Sequence, residues 1–258
     1  MQARALDVNV DMGESFGRWT LGDDAGIMPY ISSASVACGY HAGDPGTMRR
    51  TVALAVEHGV QVGAHVALPD LLGFGRRPMR ISPEELKDYC TYQIGALSAF
   101  AAAEGASLGH VKPHGALYAM CSSDGELAGA VAAAMAEVKP DMLLLLLRNE
   151  VEDAVSEHGI RLVREAFLDL DYDADGGLII ERVKGARDPE QVAERALRLV
   201  REHRIEKLDG SDLEVDAPTA CIHGDGPNAV AIAQTLKRRL EGEGIAIAPL
   251  ARTLAATG

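Results

Sequence analysis

The sequence has few aromatic residues and no excess of basic ones. Aromatic residues make up 4% of its 258 residues and hydrophobic residues 47%, so the core must be built from Ala, Val, Leu and Ile. The chain has 25 Lys and Arg against 38 Asp and Glu, a formal net charge of −13. An acidic chain without a basic cluster is a poor candidate for binding nucleic acid or an anionic membrane.

Several further features are missing. The four cysteines are far apart and lack CxxC spacing, which is typical of free thiols in a reducing compartment. The longest apolar run, MLLLLL (142–147), is too short to span a bilayer. The first ten residues have no signal-peptide pattern, and no P-loop motif occurs anywhere in the sequence. We therefore expect a soluble cytoplasmic protein whose nucleotide site, if it has one, is not a P-loop.

The chain alternates between short apolar runs and helical patterns. Strands are predicted at 5–11, 35–39, 60–65, 108–113, 142–147, 160–167, 219–223 and 245–249. Helices are predicted at 45–59, from a cap at Ser82 to about Glu104, at 125–138, from Asn149 to about 159, from Asp188 to about Arg204, and at 227–241. The Gly- and Asp-rich stretch 169–185 is predicted to be a long loop or a hairpin.

This order of elements predicts the fold class. Apolar strands that alternate with helices indicate a mostly parallel sheet covered by helices. Seven or eight such units in this length predict an α/β fold, a distorted (β/α) barrel of about seven parallel strands, as a single domain over 1–258. An open doubly wound sheet is the main alternative.

Polar residues concentrate where the predicted strands end. In both architectures ligands bind at the carboxyl ends of the strands, and four of the eight histidines lie at the end of a predicted strand or just after it. Histidines scattered over the surface would not concentrate at one end of the strands. This concentration therefore indicates a functional site. The residues placed there are Asn9, Asp11, Glu14, His41, Asp44, His65, Arg76, Lys112, His114, Asp169, His223 and Asp225.

Some of these residues also have a structural interpretation. Asp7 and Asn9 share one face of the first strand and could form a hydrogen-bonded polar layer in the core. Asp11 and Glu14 could cap a helix. Lys112 is harder to explain structurally because lysine is costly to bury, and it could bind a phosphate or carboxylate, or polarise a carbonyl oxygen. The natural role for the histidines is general base or metal ligand.

Two further patterns indicate ligands. The sequence GDGPNA (224–229) fits GxGxxA between a strand and a helix, which is weak evidence for a dinucleotide. However, Gly224 and Gly226 would leave backbone N–H groups free for an anion at a helix N-terminus. His41, His65 and Asp11 could form a metal site, although nothing in their spacing requires one.

Long motifs in the sequence resemble the LamB/YcsF family from about Leu6 to Pro249. These motifs are DVNVDMGESFG, SVACGYHAGDP, VGAHVALPDLLGFGRR, YQIGAL, HVKPHGALY, EAFLDLDYDADGGL and CIHGDGPNAV. The resemblance implies a distorted barrel similar to the glycoside hydrolase/deacetylase class. It also implies a hydrolase acting on a cyclic amide, an ATP-dependent 5-oxoprolinase that opens 5-oxo-L-proline to L-glutamate together with B and C subunits.

The resemblance also suggests roles for the candidate residues. ATP would phosphorylate the lactam carbonyl oxygen and so make a stable amide reactive towards water. Lys112 and the backbone at 224–226 would hold phosphate, and His41, His65 or His114 would act as the base. The carboxylates Asp11, Glu14 and Asp44 would steer protons or the Mg²⁺ that accompanies ATP. The remaining residues, expected to bind nucleotide, phosphate or substrate, are Asn9, Arg76, Asp169, His223 and Asp225.

Four positions depart from the usual family pattern. Tyr40 stands where the family usually has phenylalanine, and Ala119 where it commonly has asparagine. Ser35 stands where the family usually has asparagine, and Leu170 where it usually has arginine. Without that arginine the site loses a bidentate carboxylate partner, so a different lactam substrate is one alternative. The others are a stand-alone metal-dependent amidase or deacetylase and a non-enzymatic binding protein. The sequence leaves a tightly bound metal and homo-oligomer formation open.

Overall fold

The structure is a computed structural model that describes residues 5–179 and 184–257. Its strands run over Ala5–Met12 (β1), Ser33–Ala37 (β2), Gln61–Val66 (β3), His110–Pro113 (β4), Leu143–Leu146 (β5), Arg161–Phe167 (β6), Asp171–Tyr172 (β7), Leu178–Ile179 (β8), Arg204–Glu206 (β9), Asp212–Glu214 (β10), Thr219–His223 (β11) and Ala246–Ile247 (β12).

The α-helices alternate with the long strands. They run over Asp24–Ile27 (α1), Pro45–His58 (α2), Pro83–Ala103 (α3), Gly115–Ser123 (α4), Gly125–Val138 (α5), Glu152–Ser156 (α6), Pro189–Glu202 (α7), Ala229–Gly242 (α8) and Leu250–Thr257 (α9). Among the helices described, none combines the length and the apolar character that crossing a bilayer requires.

Strand pairing confirms the predicted fold class. The main sheet has the order β11-β6-β5-β4-β3-β2-β1-β12, and β11 also pairs with β1. The pairs β3–β4, β4–β5, β5–β6, β6–β11 and β1–β12 are parallel. Because β11 bonds to both β6 and β1, seven strands close into a distorted (β/α) barrel, and the open doubly wound alternative is wrong.

The chain divides into two compact units, which we describe separately. Unit one comprises Met1–Val10, Gly22–Ser33 and Glu165–Gly258, and unit two comprises Asp11–Leu21 and Ala34–Arg164. The prediction of a single domain stays a prediction.

The core of unit two depends on the packing of α3 against α5. Helix α3 begins where predicted, with Ser82 Oγ accepting from the Glu85 N–H at 3.2 Å and Pro83 in the first turn. Its buried residues Leu86, Cys90, Ile94 and Leu97 follow helical spacing. Helix α5 is rich in alanine, whose small side chains allow another helix to pack closely against it.

Three segments differ from or refine the sequence prediction. The stretch after β6 forms a hairpin, because β7 and β8 pair antiparallel, and the part of it at 180–183 lies outside the described residues. Helix α7 ends at Glu202, before the predicted Arg204, and His203 adopts a left-handed conformation. The chain then forms the antiparallel β9–β10 hairpin, which the sequence did not predict. Helix α4 was also not predicted. Exposed charged residues in β9 and β10 hide the strand pattern.

A buried hydrogen-bond network surrounds Asp7 in unit one. Its carboxylate accepts hydroxyl bonds from Ser32 (2.6 Å), Ser33 (2.7 Å) and Thr219 (2.6 Å). Asn9 donates to Thr219 Oγ1 at 2.9 Å and to Glu165 Oε1 at 2.8 Å. Asp7 and Asn9 therefore form the polar layer that was the structural interpretation of this strand.

Burial makes Asp7 a pH-dependent element of stability. Burial raises its pKa to about 6, against the opposing effect of its three hydroxyl donors. A carboxyl whose pKa is raised on folding stabilises the fold below its unfolded pKa, and this contribution is lost as pH rises through about 6.

We expect Asp7→Asn to remove this pH dependence. Between pH 4 and pH 7 the wild type should lose about 2 kcal/mol of unfolding free energy that the variant keeps, since a pKa difference of one unit corresponds to roughly 1.4 kcal/mol and pH 4 lies just above the unfolded pKa of 3.8. Urea unfolding at several pH values measures this difference. Asp175→Asn, at an exposed carboxylate, should show no such gain. A constant difference between Asp7→Asn and the wild type would contradict the assignment.

Candidate active site

The strand ends of unit two bring six predicted site residues together. Asp11 lies near the end of β1, and Glu14 follows it in the next turn. His41 comes four residues after β2 ends, and His65 lies in β3. The β4 segment supplies the remaining two, Lys112 within the strand and His114 as the N-cap residue of α4.

Lys112 and Asp11 form a buried ion pair. The Lys112 Nζ lies 2.9 Å from Asp11 Oδ1, and the two side chains are 2% and 5% exposed. Each charge offsets the cost of burying the other. Removing one partner of a buried pair lowers the unfolding free energy by about 3–5 kcal/mol, because the remaining charge is left uncompensated. The pair therefore holds an ammonium group at a fixed position beside the histidines.

Three imidazoles and one carboxylate pack around this ion pair. The rings of His41 and His114 stack with centroids 3.8 Å apart, and His65 Nε2 lies 2.9 Å from His114 Nδ1. Glu14 Oε1 is 3.0 Å from His41 Nε2 and 3.8 Å from His114 Nδ1. Asp11 Oδ2 lies 3.3 Å from His65 Nε2. We call Glu14, His41, His65 and His114 the imidazole cluster.

Burial keeps two members of the imidazole cluster neutral. It lowers the pKa of His41 and of His114 well below the usual histidine value, and neighbouring imidazoles lower both further. A neutral imidazole has one nitrogen lone pair, so each can accept a proton or bind a metal ion. At neutral pH both rings therefore offer a lone pair rather than a second proton.

A strained loop holds the imidazole cluster in place. Phe74 and Gly75 both adopt positive φ angles, +53° and +64°, a conformation that costs a non-glycine residue roughly 1–2 kcal/mol. The Phe74 carbonyl oxygen accepts a hydrogen bond from His114 Nε2 at 2.8 Å. The phenyl ring of Phe74 lies edge-on to the rings of His41 and His114. Arg76 stacks over the Phe74 ring at 5.0 Å. Sequence analysis missed Phe74 and Gly75, because their role depends on backbone geometry.

Asp44 is a helix cap and is not part of the imidazole cluster. It is the N-cap of α2 and accepts from the backbone N–H of Gly46, Thr47 and Gly17 and from the Thr47 hydroxyl. The Gly17 bond contributes most to lowering the pKa of Asp44 to about 2. These contacts are those of a helix cap, so we do not assign Asp44 a role in the chemistry.

His110 and Cys38 are packed residues. His110 Nε2 lies 3.0 Å from Ser35 Oγ, and burial lowers the His110 pKa to about 3. Ser35, one of the departures from the family pattern, therefore partners a core histidine outside the imidazole cluster. Cys38 is buried, and burial raises its pKa to about 12, so its thiol is unreactive at neutral pH.

Unit one contains a second polar group around the predicted Gly224–Gly226 turn. Asp169 accepts from the backbone N–H of His223 at 2.8 Å and lies 2.9 Å from His223 Nδ1. Burial tends to raise the pKa of Asp169, but His223 outweighs it and holds the value at about 2. Lys184 forms an ion pair with Asp225. Sequence analysis missed Lys184, because it lies 41 residues from that partner.

We expect Gly75→Ala to disrupt the imidazole cluster. A Cβ at this position would lie 2.7 Å from the His114 ring and 2.8 Å from His41 Cβ, in a left-handed conformation. The variant should lose about 1–3 kcal/mol of unfolding free energy. Its histidine ring signals in NMR spectra should be shifted from those of the wild type. Gly95→Ala is the matched control, since an added Cβ there meets nothing within 4 Å. Equal stability of the two variants would contradict this role.

Comparison with known proteins gives consistent results. A profile of the LamB/YcsF family matches residues 6–255. The chain is 47% identical over 248 residues to a protein of Pyrococcus horikoshii that is named as the A subunit of 5-oxoprolinase, covering 95% of this chain and 97% of the relative. It is 48% identical over 246 residues to a protein of the same name from Shouchella clausii, covering 94% and 97%.

Solved structures agree with this relationship. The crystal structure of a lactam utilization protein from Thermus thermophilus matches with a TM-score of 0.87 at 45% identity, covering 95% of this chain and 99% of that one. A family 4 carbohydrate esterase from Streptomyces lividans matches at 11% identity with a TM-score of 0.52, covering 96% of this chain and 100% of that one, and shows the shared barrel fold alone. On the family profile and these relatives, the chain belongs to the LamB/YcsF family.

Proposed function

We propose that this chain is the hydrolytic component of an ATP-dependent 5-oxoprolinase, which opens 5-oxo-L-proline to L-glutamate together with B and C subunits. Its relatives carry the names of the 5-oxoprolinase A subunit and of a lactam utilization protein, and these names support the proposal. The structural observation that carries it is the buried Lys112–Asp11 ion pair beside neutral imidazoles. This arrangement supplies both a cation for an oxyanion and a base for water.

The chemistry of the substrate explains a requirement for ATP. A five-membered lactam is a weakly electrophilic amide. Its carbonyl oxygen would attack the γ-phosphorus, ADP would leave, and the product would be a phosphorylated imidate. Water would then add to the ring carbon, the C–N bond would break with protonation of nitrogen, and the resulting acyl phosphate would be hydrolysed by a second water molecule.

The residues of unit two fit the steps that involve water. Lys112 would stabilise negative charge on the carbonyl oxygen or its phosphate, and Asp11 would hold the ammonium group in position. An imidazole of His65 or His114 would accept the proton from the attacking water. Fixed charges in a site with little water act more strongly than the same charges in solvent.

For nucleotide and phosphate binding we propose the turn before α8 in unit one. Backbone N–H groups at Gly224 and Gly226 precede this 14-residue helix, whose N-terminal dipole favours an anion. Lys184 is a nearby cation through its ion pair with Asp225, and Mg²⁺ would accompany ATP. We further propose a cytoplasmic location, where ATP is available and the four buried free cysteines would stay reduced.

A second candidate function is a metal-dependent amidase or deacetylase that acts without partner subunits. The observation in its favour is the imidazole cluster, whose donor atoms lie within 4.8 Å of one another. Such an enzyme would release its product without ATP. A third alternative is a different lactam substrate, because Leu170 is a buried apolar side chain where the family usually has arginine.

Glutamate release from 5-oxoproline tests the proposal. The chain reconstituted with its B and C subunits should release glutamate only with ATP, and Lys112→Met should lower the rate about 10²–10³-fold. His58→Gln, an exposed histidine at the end of α2, is the control that should keep full activity. Release without ATP or partners would favour the second candidate, and no release in any combination would favour another lactam.

Lys112→Met leaves Asp11 without its buried partner, so loss of folding must be separated from loss of chemistry. The double variant Asp11→Asn/Lys112→Met removes both charges and should recover part of the unfolding free energy while remaining inactive. If the double variant regained activity together with stability, Lys112 would have no chemical role.

A further inference from the structure

Backbone contacts fix the proton positions on two histidines of the imidazole cluster. His65 Nδ1 lies 3.0 Å from the Lys112 carbonyl oxygen, and His114 Nε2 lies 2.8 Å from the Phe74 carbonyl oxygen. A carbonyl oxygen can only accept a hydrogen bond, so both of these ring nitrogens carry a proton. In a neutral imidazole the other nitrogen then has a lone pair.

The two nitrogens with lone pairs face each other. His65 Nε2 and His114 Nδ1 are 2.9 Å apart, and when both rings are neutral neither nitrogen has a proton to donate to the other. The nearest carboxylate oxygens, from Asp11 at 3.3 Å and Glu14 at 3.8 Å, are acceptors too. Electron-pair donors converge here from several directions, and such a centre requires a positively charged species between them.

We propose that His41, His65, His114 and Glu14 bind a divalent transition-metal ion. A single proton could join only one pair of nitrogens, whereas a metal ion satisfies all four donors at once. His41 can take part because, among the described residues, its Nδ1 is buried without a hydrogen-bond partner, and its Nε2 lies 3.0 Å from Glu14. Without an ion Nε2 donates to the Glu14 carboxylate, so a bound ion would replace that proton and leave the His41 proton on Nδ1.

The donor spacing suits a small dication. With Zn–N distances of 2.0–2.1 Å, two ligand atoms of a tetrahedral site are separated by about 3.3 Å. The three separations given above, between His65 and His114, His41 and Glu14, and His114 and Glu14, are 2.9, 3.0 and 3.8 Å. These values lie on both sides of the tetrahedral separation, and all four donor atoms lie within 4.8 Å of one another, so the side chains would draw together to complete the site.

The donor types identify the class of metal. Three imidazole nitrogens and one carboxylate oxygen suit Zn²⁺, Co²⁺, Ni²⁺ or Fe²⁺, whereas Mg²⁺ and Ca²⁺ prefer oxygen ligands. The backbone carbonyls that orient His65 and His114 are the outer hydrogen bonds that metal-binding histidines usually have. The Mg²⁺ that accompanies ATP would therefore bind elsewhere.

The proposal does not depend on the lactam reaction. When bound, such an ion would take the lone pairs of His65 and His114, and it would supply an activated water next to the Lys112–Asp11 ion pair in place of an imidazole base. Metal binding can be measured on this chain alone, whereas 5-oxoprolinase activity requires the reconstituted complex. Failure of either therefore leaves the other testable.

The test is metal content and spectroscopy of the whole chain. Protein purified without chelator should contain about one equivalent of transition metal, and chelation should lower its thermal unfolding temperature until Zn²⁺ is restored. Co²⁺ added to the metal-free chain should give visible absorption bands from nitrogen and oxygen ligation. Glu14→Gln and His65→Ala should each weaken Co²⁺ binding by roughly 100-fold or more.

His58→Ala is the control, because it removes an exposed histidine of α2 and should leave Co²⁺ binding unchanged. The wild-type measurements do not depend on whether a variant folds. Metal below a tenth of an equivalent, together with no Co²⁺ bands and no thermal shift, would overturn the proposal. A shared N–H···N proton between His65 and His114 in NMR spectra of the metal-treated chain would do the same.

Discussion

The candidate active site depends on the burial of a lysine. Lys112 is 2% exposed and stays compatible with the interior because Asp11 lies 2.9 Å from its ammonium group. The cost of separating such a pair fixes the relative positions of β1 and β4 at their carboxyl ends. The Lys112 backbone carbonyl also orients His65. One residue thus supplies a charge, restrains two strands and sets the proton position on a histidine.

The imidazole cluster shows how backbone strain supports a site. The loop after β3 accepts left-handed conformations at Phe74 and Gly75 so that a carbonyl oxygen reaches His114 and a ring covers His41. Strain of this kind persists only where the surroundings over-determine it. The ring nitrogens of His65 and His114 face each other because backbone carbonyl oxygens hold the opposite side of both rings.

The polar side chains on one face of β1 have two different kinds of partner. Asp7 and Asn9 join a network of hydroxyl and amide groups in unit one, whereas Asp11 pairs with Lys112 in unit two. All three side chains are buried. Asp7 and Asp11 therefore differ in their partners, three hydroxyl donors for Asp7 and an ammonium group for Asp11, although both are buried on the same strand.

The sequence alone determined the alternation of strands and helices, because apolar periodicity and helix caps are local signals, and these led to the barrel. It also indicated the strand ends that carry Asp11, His65, Lys112 and His114, since strand polarity fixes where ligands bind. Tertiary structure decided that Asp44 caps a helix, that Lys184 pairs with Asp225, and that Phe74 holds His114. These outcomes depend on distances between residues far apart in the chain and on backbone angles, which composition and spacing do not encode.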